Sequence, residues 1–281
     1  MFISLIAAVA QAGGILIDKI TFRRWQVEVK TFTTWLFFFL AVFTGLILVY
    51  TKGAVIVASS LPSWEKWLPW FLGMLAVAVG WNILYYRSFK HESLQNFELI
   101  LMLSPLATII LAALVFPEER QVSHFIAAVI AGAALVWSKF RRDHLQFSGW
   151  TWLAILAMLL MSGEAIFIKK SLVFFSPAGL YFIRTAVMFI FFLILWRPNL
   201  DISWPKIAAI AASAVCGVVS MVLKFTAFET IGVVYTTLIL VLAPVFVLGG
   251  EAIILRDHLT RRNLIAAAII IVAIALATLL S

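Results

Sequence analysis

The sequence predicts an all-α polytopic membrane protein, with ten transmembrane helices in two inverted five-helix repeats. Three observations carry this. Hydrophobic residues make up 64% of the chain and charged residues 12%, against about 25% charged in soluble domains. The apolar residues fall into ten runs of roughly the ~20 residues that a bilayer demands. One segment also occurs twice. Leu99-Ile100-Leu101-Met102-Leu103-Ser104-Pro105 returns as Leu238-Ile239-Leu240-Val241-Leu242-Ala243-Pro244, and an acid follows each copy, Glu118 and Asp257. From Phe89/Phe228 to Ala134/Ala273 the two stretches align without a gap. Five helices is an odd number, so two related halves of five enter the membrane from opposite sides. The predicted repeats are 1–139 and 150–281, joined by 140–149.

In order, the predicted spans are 2–17, 33–50, 68–86, 95–116, 122–139, 150–168, 177–196, 205–225, 233–255 and 263–280. The first lacks a basic leading region and a small-residue cleavage site, so it reads as a span and not a signal peptide. The second has soft ends, and 53–61 could extend it. The fourth and ninth contain Pro105 and Pro244, which remove a backbone donor and free a carbonyl one turn earlier. In a bilayer that is tolerated where the kink meets protein or water, so both read as structural hinges. The fifth and tenth are rich in small residues, Ala127, Ala128, Ala131, Gly132 and Ala134 against Ala266, Ala267, Ala268 and Ala273. Such residues permit close packing, within the fold or in a homodimer. The runs are continuously apolar, unlike the alternating strands of a barrel.

Composition excludes several function classes. The net charge of +8 is spread over short loops, as membrane topology requires, and does not build a nucleic-acid surface. The single cysteine, Cys216, makes no disulfide within the chain and carries no metal motif. His91, His124, His144 and His258 lie in or beside loops without metal-ligand spacing. No nucleotide-binding loop occurs, so ATP is not the direct energy source. No catalytic residue, metal or cofactor is expected. Lysines and arginines concentrate in the odd-numbered connections, such as Lys19, Arg23, Arg24 and Lys30, which favours cytoplasmic odd loops and external termini.

Ionisable groups inside a bilayer cost several kcal/mol unless paired or facing water, so each is a functional candidate. Glu164 and Arg184 flank a short connection on antiparallel neighbours and can pair. Such a pair either locks two helices or forms a charged subsite, and Glu164 could also carry a coupling proton. Glu251 lies seven residues after Pro244, close to two turns, hence on the same face. It either lines a cavity or snorkels to the interface, and its mate in the first half is Ala112. Glu98 opens the Pro105 helix, where the macrodipole alone favours an acid; a ligand role is the sharper alternative. Gln11 and Asn82 can bond a substrate or join helices. Trp81 and Tyr85 share a face one turn apart and can wall a cage for an organic cation or anchor at the interface. Glu118 and Asp257 read as helix-end groups that cap or pair with Arg120, Arg261 or Arg262.

Taken together, these residues resemble EamA-type transporters of the drug/metabolite transporter superfamily. The resemblance rests on Ser104-Pro105 with Pro117-Glu118-Glu119, on Ala243-Pro244 with Arg256-Asp257, on Ala165-Ile166-Phe167-Ile168-Lys169-Lys170, on Arg184, and on Phe89 and Phe228. It covers nearly the whole chain. It implies two inverted five-helix halves around a central cavity that moves small organic metabolites, and cytoplasmic termini, against the charge distribution. The first half departs from it in lacking a mate for Arg184, and the connection 18–31 is long and charged. The expected function is secondary transport of a small polar or amphipathic metabolite, an amino acid or organic cation, by alternating access. Protons are a candidate coupling ion and the bacterial inner membrane the expected location. The internal acids outnumber Arg184, which tilts the expectation toward an amine-bearing substrate. The alternatives are a membrane-embedded enzyme or carrier acting on a lipid-linked intermediate, and a non-transporting structural or sensory membrane protein.

Overall fold

A computed structural model describes residues 2–56, 64–91, 100–139, 149–199, 201–255 and 261–279. The helices are α1 (Phe2–Trp25), α2 (Val29–Thr51), α3 (Trp64–His91), α4 (Ser104–Val115), α5 (Val122–Lys139), α6 (Gly149–Ser171), α7 (Pro177–Trp196), α8 (Trp204–Thr230), α9 (Val233–Leu240), α10 (Ala243–Gly250) and α11 (Arg261–Leu279). A 3-10 turn, Pro117–Glu119, follows α4, and a π turn, Glu251–Leu255, follows α10. Among the described residues there is no strand, only an isolated bridge between Ile56 and Phe175. Helices satisfy their own backbone groups, which a lipid environment requires.

Eight helices are long and apolar enough to cross a membrane, with α9, α10 and the π turn counted as one over Val233–Ile254. Two further apolar helices are shorter, Ile100–Val115 and Val122–Ser138. The expected ten full spans are thus eight plus two short ones among the described residues; 95–99 of the fourth lie outside them. The chain is a multi-pass integral membrane protein. Two boundaries differ from the sequence reading. Lys52 takes a left-handed conformation (φ 48°) and ends α2, so residues 53–56 do not extend it. At the other end of the chain's first hairpin, α1 runs on to Trp25, and the connection expected over 18–31 shrinks to Gln26–Glu28. Polar residues such as Asp18, Lys19 and Thr21 continue that helix; Thr21 returns its hydroxyl to the Ile17 carbonyl at 2.8 Å.

The two halves break their proline helices in the same way. In the first, Leu103 is a turn residue and α4 restarts at Ser104-Pro105; in the second, Val241-Leu242 turn and α10 restarts at Ala243-Pro244. The backbone bonds match position for position. Leu103 N–H donates to Ile100 O at 3.1 Å and Leu242 N–H to Ile239 O at 3.0 Å. Ala107 N–H donates to Leu103 O and Phe246 N–H to Leu242 O, both at 3.0 Å. Proline in the first helical turn has no orphaned donor to satisfy, so each break costs little.

Packing crosses between the halves. Helix α1 lies along α8 and α3 lies along α6, while α2 pairs with α7, α4 touches α9, and α5 pairs with α11. The small residues of α5 and α11 meet in that last pair, with Ala128, Ala131, Ala266 and Ile270 almost fully buried. Their outer faces expose Phe125, Ile126, Ile271 and Val272, as lipid contact allows. The main core gathers Phe192, Phe225, Phe228, Met188, Leu180 and Ile109 between the halves.

Candidate functional site

Glu164 lies seven residues before the end of α6, Arg184 seven after the start of α7, and Lys224 six before the end of α8. At 1.5 Å per residue all three sit roughly 10 Å from the same end of the bundle. Arg184 grips Glu164 bidentately: Nε donates to Oε1 at 2.6 Å and Nη2 to Oε2 at 3.1 Å. Trp81 of α3 donates its indole N–H to Oε2 at 2.8 Å. Both charged residues are buried, with 4% and 7% exposure. Planar fork-on-carboxylate geometry is the strong form of a charge-assisted bond. Trp81 belongs to the first half and the ion pair to the second, so the cluster stands at the seam. Tyr85 meets Trp81 edge-on, ring centroids 6.1 Å apart. Tyr181 is fully buried beside Phe225 at 5.6 Å. Lys224 lies within electrostatic range of both Glu164 and Arg184.

The structure therefore brings together Trp81, Tyr85, Glu164, Arg184 and Lys224. It does not add Asn82, which is buried and donates to the Ala78 carbonyl of its own helix at 2.9 Å. Gln11 is partly buried midway along α1. Glu98 lies outside the described residues, as does Asp257. Glu251 opens the π turn directly after Gly249-Gly250, but its side chain is not among those described. A Cβ at Gly250 would meet the Leu16 side chain of α1, which would have to shift. At the α4 break, the single Ser162 hydroxyl proton of α6 is shared between the Ser104 carbonyl at 3.1 Å and the Met158 carbonyl at 2.8 Å. The Pro105 hinge is thereby fastened to the helix that carries Glu164.

Sequence reasoning assigned Asp18 to a loop. It sits inside α1, where Ser213 of α8 donates a short hydrogen bond to its carboxylate. Close packing of α1 on α8 at Gly13 and Gly14, against Cys216, brings that pair together. The available signal was a register. Asp18 precedes Arg23-Arg24 by the interval at which Glu164 precedes Lys169-Lys170, and the two helices end at matching places.

A second cluster joins connections at the end of the bundle nearest Glu164. Lys169 pairs with Glu119 at 3.2 Å and donates to the Phe228 carbonyl at 2.8 Å. The other Glu119 oxygen accepts the Val234 N–H at 2.7 Å, capping α9. Gly232 (φ 89°) lets the chain turn against that carboxylate, where a Cβ would clash. Lys170 lies over the rings of Phe116 and Trp70 at 5.1 and 5.8 Å. Nearby, Ser176 N–H donates to Val55 O at 3.1 Å and its hydroxyl to Ala54 O at 2.7 Å. The expected partners are thus revised. Glu118 is exposed, Arg120 caps the α4 carbonyls of Ala113 and Leu114, and the acid that bridges the halves is Glu119.

The EamA-like transporter family matches residues 1–139 and again residues 148–279. A solved crystal structure of a protein superposes with a TM-score of 0.82 at 17% identity. The alignment covers 99% of this chain and 96% of that one, which makes the likeness one of fold. A search of curated proteins finds no match.

Proposed function

The chain belongs to the EamA-like transporter family, and on that premise we propose that it is a secondary transporter for a small polar or amphipathic metabolite. Amino acids and organic cations are the candidate classes, protons the candidate coupling ion, and a bacterial inner membrane the setting. The moving parts are two inverted five-helix repeats, 1–139 and 150–281, joined by 140–149. The reciprocal packing of α1 on α8 and α3 on α6 supports that reading, as do the matching hydrogen bonds at the two proline breaks. In this mechanism the halves rock about the seam, and the breaks at Pro105 and Pro244 absorb the change.

The observation that carries the proposal is the buried Glu164–Arg184–Trp81 cluster at the seam. Charge inside a bilayer is expensive, and where it persists it marks a substrate or ion path. The Glu119–Lys169 latch supports an occluded end in this conformation, because it ties the 3-10 turn of the first half to α6, α8 and α9 of the second. Opening that end breaks the ion pair and the α9 cap together. The test is uptake of labelled amino acids and choline into proteoliposomes containing the full chain. A folded Glu164→Gln/Arg184→Met double variant is expected to abolish uptake. Wild-type rates in that variant would remove the cluster from the path.

A further inference from the structure

We propose that the seam cluster receives an anionic group of its substrate, a carboxylate, and that Lys224 is the residue that pairs with it. This rests on the transporter reading and narrows it, since it selects carboxylate-bearing solutes over simple organic cations. Glu164 accepts Arg184 Nε at Oε1, and Arg184 Nη2 together with the Trp81 indole at Oε2. Both oxygens are engaged, and the negative charge is matched by the guanidinium. A substrate ammonium arriving there meets a carboxylate whose charge is already answered.

Lys224 is the opposite case. Its ammonium lies over the Phe228 ring at 5.4 Å, and among the described residues no carboxylate or carbonyl pairs with it. Lys169, one helix away, shows what a paired lysine looks like here: it has the Glu119 carboxylate and the Phe228 carbonyl. Lys224 shares its depth with Glu164 and Arg184 and feels both; when protonated it makes the cluster two cations against one anion. An ammonium against a single aromatic face recovers only part of what burial costs. The missing partner is one negative charge, and nothing described in the protein supplies it. The corresponding position of α3 is Tyr85, so the first half offers no second cation there.

The experiment uses the detergent-purified full chain. Leucine, phenylalanine and glutamate are titrated as free amino acids, as N-acetyl derivatives and as carboxamides, with choline as a pure cation, and intrinsic tryptophan fluorescence is read. Binding is expected to survive acetylation and to weaken by about tenfold or more on amidation, the factor that a charge-assisted bond commands. Lys224→Met is expected to lose the same factor and Lys224→Arg to recover part of it. The melting temperature of Lys224→Met is expected to equal or exceed that of the wild type, because an unpaired, partly buried charge inside the span is removed. The proposal is overturned if carboxamides or choline bind as tightly as the acids, or if Lys224→Met keeps wild-type affinity. A fall in its melting temperature also overturns it, by showing a structural partner, and should no probe bind, this measurement decides alone. Uptake of choline without any carboxylate would sink this inference and leave transport intact; absence of all uptake into proteoliposomes would sink transport itself.

Discussion

Asp18 and Glu164 occupy equivalent places in the two halves, yet they are held differently. Each acid lies on the first helix of its half and precedes a basic pair, Arg23-Arg24 or Lys169-Lys170. Each also bonds across the seam to the third helix of the other half, Asp18 to Ser213 of α8 and Glu164 to Trp81 of α3. The difference is Arg184. It neutralises Glu164, while Asp18 has, among the described residues, a hydroxyl as its partner. Two acids in matching registers thus differ through one neighbouring residue: Arg184 makes Glu164 half of an ion pair, and Asp18 keeps a hydroxyl.

The sharpest way to break this comparison is to remove the guanidinium. Arg184→Met leaves Glu164 buried with only the indole, and removing one partner of a buried pair costs about 3–5 kcal/mol. Thermal unfolding in detergent should show a large fall in the melting temperature. The Glu164→Gln/Arg184→Met double variant should regain most of it, since neither charge is then stranded. A double variant as unstable as the single would mean that Arg184 packs rather than pairs.

Asp18→Asn is the matched experiment in the other half. An amide oxygen can still accept from Ser213, and no cation among the described residues is stranded, so the expected change is about 1 kcal/mol or less. If Asp18→Asn were as damaging as Arg184→Met, the two sites would be alike after all.

How much of this was legible follows from what each feature depends on. Spans 122–139 and 177–196 are read off the apolar runs, because a bilayer imposes length and polarity on the chain itself. The proline breaks were visible because they repeat. The α1 terminus was not: Asp18, Lys19 and Thr21 look like a loop, and only packing against α8 shows that polar residues continue the helix. The antiparallel placement of Glu164 and Arg184 was readable from a short connection. The Trp81 indole bond and the approach of Lys224 were not, because they join helices far apart in sequence. Glu119 was overlooked for Glu118, since the turn that aims one acid inward and its neighbour outward is set by the 3-10 geometry of Pro117–Glu119.

The latch gives a smaller effect at the same end of the seam. Glu119→Gln keeps an acceptor for the Val234 N–H but loses the charge facing Lys169. A partly exposed pair of this kind contributes on the order of 1 kcal/mol or less, so the fold should stand. What should change is access. In a Cys216→Ser background, a cysteine at Ser162 should react faster with a small maleimide when Glu119→Gln is present. Unchanged labelling would show that the latch does not hold that end shut.

The smallest effect belongs to Glu118, and it sharpens the comparison because it is adjacent to Glu119 and equally acidic. Glu118 is exposed, and Arg120, the obvious cation beside it, is committed to the Ala113 and Leu114 carbonyls at 2.6 and 3.0 Å. Glu118→Gln therefore removes a solvated charge with no partner to strand among the described residues. Its stability should stay within about 0.5 kcal/mol of the wild type, and labelling at Ser162→Cys should not change. If Glu118→Gln opened the bundle as Glu119→Gln is expected to, net negative charge near Lys169 would be what seals this end. If only Glu119→Gln does, the seal is the particular contact that reaches Lys169 and Val234 together.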